Sequence, residues 1–226
     1  MWRLPASRWC ASEPEYEVSP SALRALNNGH ITFGCFGNYT KLNDAVVSLW
    51  VELLLLMPTS KLLLKTKQFR DPQVVEEALA RFTAQGIGEE RLVLEAPDSR
   101  DKYFSAYNRI DITLDTFPFT GGTTSVDSLW MGVPVITLAG DSLVSRQGVG
   151  LLCNTGLTDW VAQDSAEYLA KAVKFANDVN YLAALRQRLR TQVNRSPLFD
   201  APQVAGHFEQ ALWAMWDKYH EKAPSS

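Results

Sequence analysis

The chain reads as an α/β protein, a doubly wound parallel sheet followed by C-terminal helices. Three observations predict it. From Ile31 to about residue 140, short apolar runs alternate with amphipathic stretches of ten to fifteen residues, a spacing too long for hairpins and right for βαβ units. After about residue 160 the apolar runs stop and only helical patterning remains. Finally, 226 residues with 46% hydrophobic and 21% charged side chains are ample for one core.

Each element has its own signal. ITFGCFG (31–37) is an apolar run closed by glycine, a buried strand. Leu42, Val46, Trp50, Leu53 and Met57 then recur at three and four, a helix face that Pro58 stops. SKLLLKT (60–66) is the next strand. PQVVEEALARFTA (72–84) is a helix, with Asp71 as cap and Pro72 in the first turn. RLVLEA (91–96) is a strand, and SRDKYFSAYNRI (99–110) a helix capped by Ser99. DITLDT (111–116), TTSVDSLWMG (123–132) and PVITLAG (134–140) follow as strand, helix and strand. Right-handed crossovers make such a series a Rossmann-like sheet. Segments 165–178, 180–194 and 201–221 read as helices, the last with Phe208, Leu212, Trp216 and Tyr219 on one face. Residues 1–28, with Pro5, Pro14 and Pro20, read as an extended lead-in and not a packed element. The expected division is lead-in 1–28, sheet domain 29–160, and a helical segment 161–226 packed on it.

Composition excludes several classes. Lys plus Arg number 22 against 25 Asp plus Glu, a net charge of −3, which gives no electrostatic reason to bind nucleic acid or an anionic membrane. The most apolar stretch, Val46 to Leu64, is broken by Glu52, Pro58, Ser60 and Lys61, so it is not a membrane span. MWRLPASRWC lacks the apolar core of a signal peptide. Cys10, Cys35 and Cys153 are odd in number and show no metal-ligand spacing, which fits free thiols in the cytoplasm. None of His30, His207 and His220 adjoins a nucleophile motif, and no clustered carboxylate pair is visible.

In an open parallel sheet, ligands bind beyond the carboxyl ends of the strands. Three loops lie there: GNYTK (37–41), APDSR (96–100) and DTFPFTGGTTSVD (115–127). The third places two glycines and two threonines at a helix start, where free N–H groups and the helix dipole favour an anion such as phosphate. Asp127, one turn on, could accept from a ribose diol. An ordinary Gly-rich turn with a Thr cap fits the same residues. Lys41 could reach the same phosphates or be a solvated lysine, and Tyr103 could stack on a base or belong to the core. Arg146 could face a phosphate or sit on a loop.

Taken in order, ITFGCFGNYTKLND, SRDKYFSAYNRIDITLDTFPFTGGTTSVDSLWMGVPVITLAG and SRQGVGLL resemble the C-terminal catalytic lobe of the O-linked N-acetylglucosamine transferases and the related SPINDLY-like proteins. The resemblance spans roughly residues 29–221. It implies one lobe of a two-lobed GT-B glycosyltransferase and a UDP site. By this resemblance Lys41 meets the diphosphate and is the catalytic residue, and Asn38 is a polar phosphate contact. Asp98, Ser99 and Arg100 form the loop that holds the uracil edge. Gly122, Thr123 and Thr124 are the helix start that receives the diphosphate, and Asp127 binds the ribose. Two positions depart from the pattern: Tyr103 stands where relatives commonly carry His, and Gly122 where some carry His.

The implied reaction transfers N-acetylglucosamine from UDP-N-acetylglucosamine to protein Ser/Thr hydroxyls with inversion, using neither metal nor other cofactor. Two alternatives stay open: a nucleotide-binding module that transfers nothing, and a GDP-fucose-using SPINDLY-like transferase. The resemblance also implies an N-terminal lobe, or tetratricopeptide repeats, supplied upstream, since nothing before Ile31 is long enough to be either. The lead-in containing RLP (3–5) is similar to the family's inter-lobe connector, so the chain is expected to be an incomplete enzyme.

Overall fold

A computed structural model describes residues 2–15, 17–97 and 99–221. Six strands form one parallel sheet: β1 (Thr32–Cys35), β2 (Lys61–Lys65), β3 (Leu92–Glu95), β4 (Ile112–Leu114), β5 (Val135–Leu138) and β6 (Val161–Ala162). Their order across the sheet is β3-β2-β1-β4-β5-β6, so the winding reverses between β1 and β4. Phe33 of β1 registers with Leu62 on one side and Ile112 on the other. A crevice for ligands opens at the carboxyl ends of those two central strands.

The helices are α1 (Ala25–Asn28), α2 (Asp44–Leu56), α3 (Pro72–Thr83), α4 (Arg100–Ala106), α5 (Thr123–Trp130), α6 (Gln147–Asn154), α7 (Ser165–Asn177), α8 (Val179–Asn194) and α9 (Ala201–Glu221). Local chemistry explains their starts. Asn43 caps α2 by accepting the Val46 N–H at 3.0 Å, and Asp71 caps α3 through the Gln73 N–H at 2.9 Å. Helix α5 stops at Gly132, whose φ of 74° suits glycine; a Cβ there would lie 2.9 Å from the Arg186 carbonyl. α2 turns Val46, Trp50, Leu53 and Leu54 into the core. On the far side, Trp160 stacks on Phe175 with centroids 4.0 Å apart.

Several expectations need correction. Ser99 occupies the N-cap position of α4 but its side chain caps no backbone N–H, bonding the Asp101 carboxylate instead, and the helix ends at Ala106, continuing as a 3-10 turn over Tyr107–Arg109. Helix α6 forms between the 134–140 strand and the 165–178 helix, where the sequence predicts no element, because Gly148 and Gly150 mask its pattern. The sheet gains a last short strand just past residue 160.

The lead-in is packed, contrary to its extended, proline-bearing look. Leu23 and Ala25 are buried, and Ala11 N–H donates to the Leu198 carbonyl at 2.7 Å. Extended backbone leaves carbonyls without partners, and two arginines of α8 take them. Arg186, 1% exposed, donates to the carbonyls of Ser21 (2.9 Å), Ile110 (2.8 Å) and Tyr107 (3.1 Å). Arg190 donates to Val18 at 2.6 Å. By contrast α9 buries none of its residues, and Phe208, Leu212, Trp216 and Tyr219 are exposed. Among the described residues no helix is long and apolar enough to cross a membrane.

Candidate functional site

The site begins with the loop that follows β4, residues 115–122. Its own side chains hold it. Thr116 Oγ1 donates to the Phe119 carbonyl at 2.7 Å. Thr120 Oγ1 donates to Val144 O at 2.9 Å and accepts the Gly148 N–H at 3.2 Å. Asp115 is buried at the end of the strand; its Oδ1 accepts the Gly121 N–H at 2.6 Å, and its Oδ2 accepts from Thr137 Oγ1 at 2.7 Å. Burial pushes this carboxyl up to about 6 against the pull of those hydrogen bonds and of Lys41. The loop delivers Gly122 to the N-cap position of α5, where no side chain caps the helix. Its first N–H groups are thereby left for an external acceptor. Trp9 of the lead-in packs here: a Cβ on Gly122 would lie 2.5 Å from its indole edge.

The loop after β1 supplies the cation. Asn38 Oδ1 accepts from Thr40 N–H (3.0 Å), Thr40 Oγ1 (3.0 Å) and Gln68 Nε2 (2.5 Å), capping a 3-10 turn over Tyr39–Lys41. That turn places Lys41 against the neighbouring loop. Its Nζ donates to Thr120 O at 3.1 Å and lies 3.8 Å above the Phe119 ring. Burial lowers the pKa of this half-buried ammonium, and Asp115 acts in the opposite sense. Asn43 Nδ2 donates to Phe117 O at 2.7 Å, tying the two loops together.

The third contribution comes from α4 and α5. Asp127 is 6% exposed. Burial raises its pKa, while Arg100 and the Tyr103 hydroxyl act to lower it. Tyr103 Oη lies 3.1 Å from Asp127 Oδ2 and 3.0 Å from Tyr107 Oη, and Tyr107 Oη is 3.0 Å from Thr124 O. The Arg100 guanidinium sits 5.3 Å from the Tyr103 ring centroid. Tyrosine thus does something imidazole cannot do in the same way: its hydroxyl reaches the carboxylate on the neighbouring helix.

Two adjacent cavities gather the predicted residues. One, about 460 Å³, is lined by Phe36, Asn38, Ser99, Arg100, Tyr103 and Thr124 among others. The second, about 390 Å³, lies between the lead-in and the helices, with Trp9, Arg100, Thr123 and Asp127 in its wall. Lys41 walls neither, being folded onto the 115–122 loop, and Arg146 is turned to the Gly140 carbonyl at 3.1 Å. Asp98 lies outside the described residues. Asp115, Tyr107 and Trp9 were missed in the sequence. Only Asp115 left a signal, as a carboxylate ending the apolar run of β4. Among the described residues no group of three or more His, Cys, Asp and Glu is placed to hold a metal ion.

The description of glycosyl transferase family 41 matches residues 13–208. The chain belongs to glycosyl transferase family 41. Its parallel sheet and flanking helices are the Rossmann-like C-terminal lobe of the family's GT-B architecture. This family 41 chain is 37% identical over 223 residues to a Petunia hybrida protein named as a probable UDP-N-acetylglucosamine–peptide N-acetylglucosaminyltransferase, SPINDLY. That match covers 96% of this chain and 23% of the relative. The Arabidopsis thaliana protein of the same name is 36% identical over 219 residues, covering 96% of this chain and 24% of its own. A mutant O-GlcNAc transferase of Thermobaculum terrenum superposes with a TM-score of 0.85 at 32% identity, over 95% of this chain and 41% of that one. The chain therefore spans about a quarter of the length of the curated relatives it matches.

Proposed function

We propose that this chain is the donor-binding lobe of a protein O-GlcNAc transferase-like enzyme, taking UDP-N-acetylglucosamine as donor and protein Ser/Thr hydroxyls as acceptors. One observation carries the reading. In a family 41 lobe, the uncapped helix start at Gly122, the Lys41 turn and Asp127 all converge beyond the carboxyl ends of the central strands. Residues 29–160 form the nucleotide-sugar domain, 161–226 the C-terminal helical segment, of which α7 and α8 pack on it, and 1–28 the connector toward an upstream lobe. The base enters the cavity lined by Asn38, Ser99, Arg100 and Tyr103, with Asp98 on the same loop. The ribose meets Asp127, and the diphosphate meets Gly122, Thr123 and Thr124.

The chemistry is then leaving-group stabilisation. The acceptor hydroxyl oxygen bonds to the anomeric carbon from the opposite face as the bond to the β-phosphate oxygen breaks, and the hydroxyl proton passes to the departing UDP or to water. The electron pair stays on that phosphate. Lys41 exchanges the Thr120 carbonyl for a phosphate oxygen, and with the helix dipole it offsets the growing charge; preorganised charge of this kind is often the largest catalytic contribution. The scheme calls for no further cofactor, and a cytoplasmic setting fits the free thiols.

Calorimetric titration of UDP and GDP tests the donor. Tighter UDP binding, lost in Lys41→Ala, supports the reading. Tighter GDP binding favours a GDP-fucose donor, and a folded sample that binds neither overturns it. A radiolabelled transfer assay on protein carrying the upstream lobe separates an enzyme from a binding module.

A further inference from the structure

A carboxylate shielded from solvent stands directly behind the helix start. Asp115 is 3% exposed, and three elements are shaped around it. Strand β5 offers Thr137 Oγ1 at 2.7 Å, and the 115–122 loop offers the Gly121 N–H at 2.6 Å. Helix α6 can pass close because residue 148 is glycine; a Cβ there would lie 2.6 Å from Asp115 Oδ2. Neutral hydrogen bonds from Thr137, Gly121 and the Thr116 backbone do not compensate a buried anion, so a cation is called for. Lys41 meets that need. Its Nζ bonds the carbonyl of Thr120, the residue next to Gly121, and its attraction to Asp115 lowers the carboxyl pKa and raises its own. The pair grips consecutive residues of the loop that leads into Gly122.

We propose that Asp115 is a positioning residue for donor binding: through Gly121 it sets the turn that receives the diphosphate, and through its charge it keeps Lys41 an ammonium. This rests on the diphosphate reading of the helix start and adds what holds that site ready. Asp115 lies behind the loop and is not itself a donor contact. The other titratable groups facing it are the Cys35 thiol at the end of β1 and the Tyr168 phenol of α7, 3.4 Å from the Asp115 carbonyl. Burial pushes the thiol up to about 12 and the phenol upward as well, so both are neutral where Lys41 is charged.

Asp115→Asn is the informative change, because its amide can still accept from Gly121 and donate to Thr137 while the charge is removed. UDP binding is measured by calorimetry from neutral to strongly alkaline pH in wild type, Asp115→Asn and Lys41→Met. Wild-type affinity is expected to fall where Lys41 loses its proton. In Asp115→Asn that fall begins at lower pH, and in Lys41→Met only the fall from the uracil's own ionisation, common to all three proteins, remains. A purely scaffolding role would weaken binding by one factor at every pH. An unmoved alkaline fall in folded Asp115→Asn overturns the proposal and leaves the donor reading standing. Failure of wild type to bind UDP at any pH overturns both. Should Asp115→Asn not fold, the Lys41 Nζ resonance of wild type decides: it should inflect near pH 6, where Asp115 ionises, and a flat signal overturns the proposal.

Discussion

Lys41 rests between a ring and a carbonyl, a position that holds its charge close to the helix start and leaves its hydrogen bond on a carbonyl that a phosphate oxygen can replace. Removing it should cost UDP binding what a charge-assisted hydrogen bond is worth, about 1.5–3 kcal/mol, or roughly ten- to a hundredfold. Calorimetry on Lys41→Ala checks this, and unchanged affinity would remove Lys41 from the site. Asp115 makes a second prediction with a definite sign. Its folded-state pKa of about 6 lies above the ordinary value of 3.8, so the folded protein binds the extra proton between them. Stability therefore falls as pH rises through that window, and wild type should lose ground against Asp115→Asn from about pH 4 to 7. Thermal melts of both proteins at each pH test it; a difference in Tm that stays constant, or that moves in favour of wild type as pH rises, would refute the assignment. Lys41, the GGTT turn and Asp127 were legible in the sequence because their loops follow strands and their chemistry is local. Asp115 and Tyr107 were not, because their partners are long-range: Thr137 lies 22 residues on, and Thr124 lies 17 residues on.

At the scale of elements, the βαβ alternation was legible because period and punctuation agree: buried runs, the Asp71 cap, and Pro58 as a stop. Helix α6 broke that agreement, and its two glycines differ sharply in surroundings. A Cβ at Gly148 would meet Thr137 Oγ1 at 2.3 Å and Asp115 Oδ2 at 2.6 Å, whereas Gly150 has nothing within 4 Å. Gly148→Ala should thus cost about 1–3 kcal/mol by overpacking. Gly150→Ala should be neutral or gain roughly 0.5–1 kcal/mol from helix propensity. Urea denaturation of the two variants reads both, and equal midpoints would mean that α6 does not press on the carboxylate.

Across the whole molecule, the two ends of the chain are joined where the sequence suggested only a loose lead-in. The extended backbone hides its packing from any periodicity argument, since many of its contacts run through carbonyls and the few buried side chains, Leu23 and Ala25 among them, follow no regular spacing. Arg186 is the main fastener, and Arg186→Leu would take the donor from the Ser21 and Ile110 carbonyls, whereas Tyr107 O keeps the Ile110 N–H. Ser21 is at the surface, so at about 1–3 kcal/mol for a buried unsatisfied group the loss should be about 1–3 kcal/mol, chiefly from Ile110 O. A denaturation midpoint within error of wild type would show that the lead-in is not held this way. The same fastening seats the Trp9 indole on Gly122, at the helix start assigned to the diphosphate. The protein therefore carries its own optical gauge. Donor arrival should change the emission of that indole, and Trp9→Phe should silence the change although six other tryptophans still fluoresce.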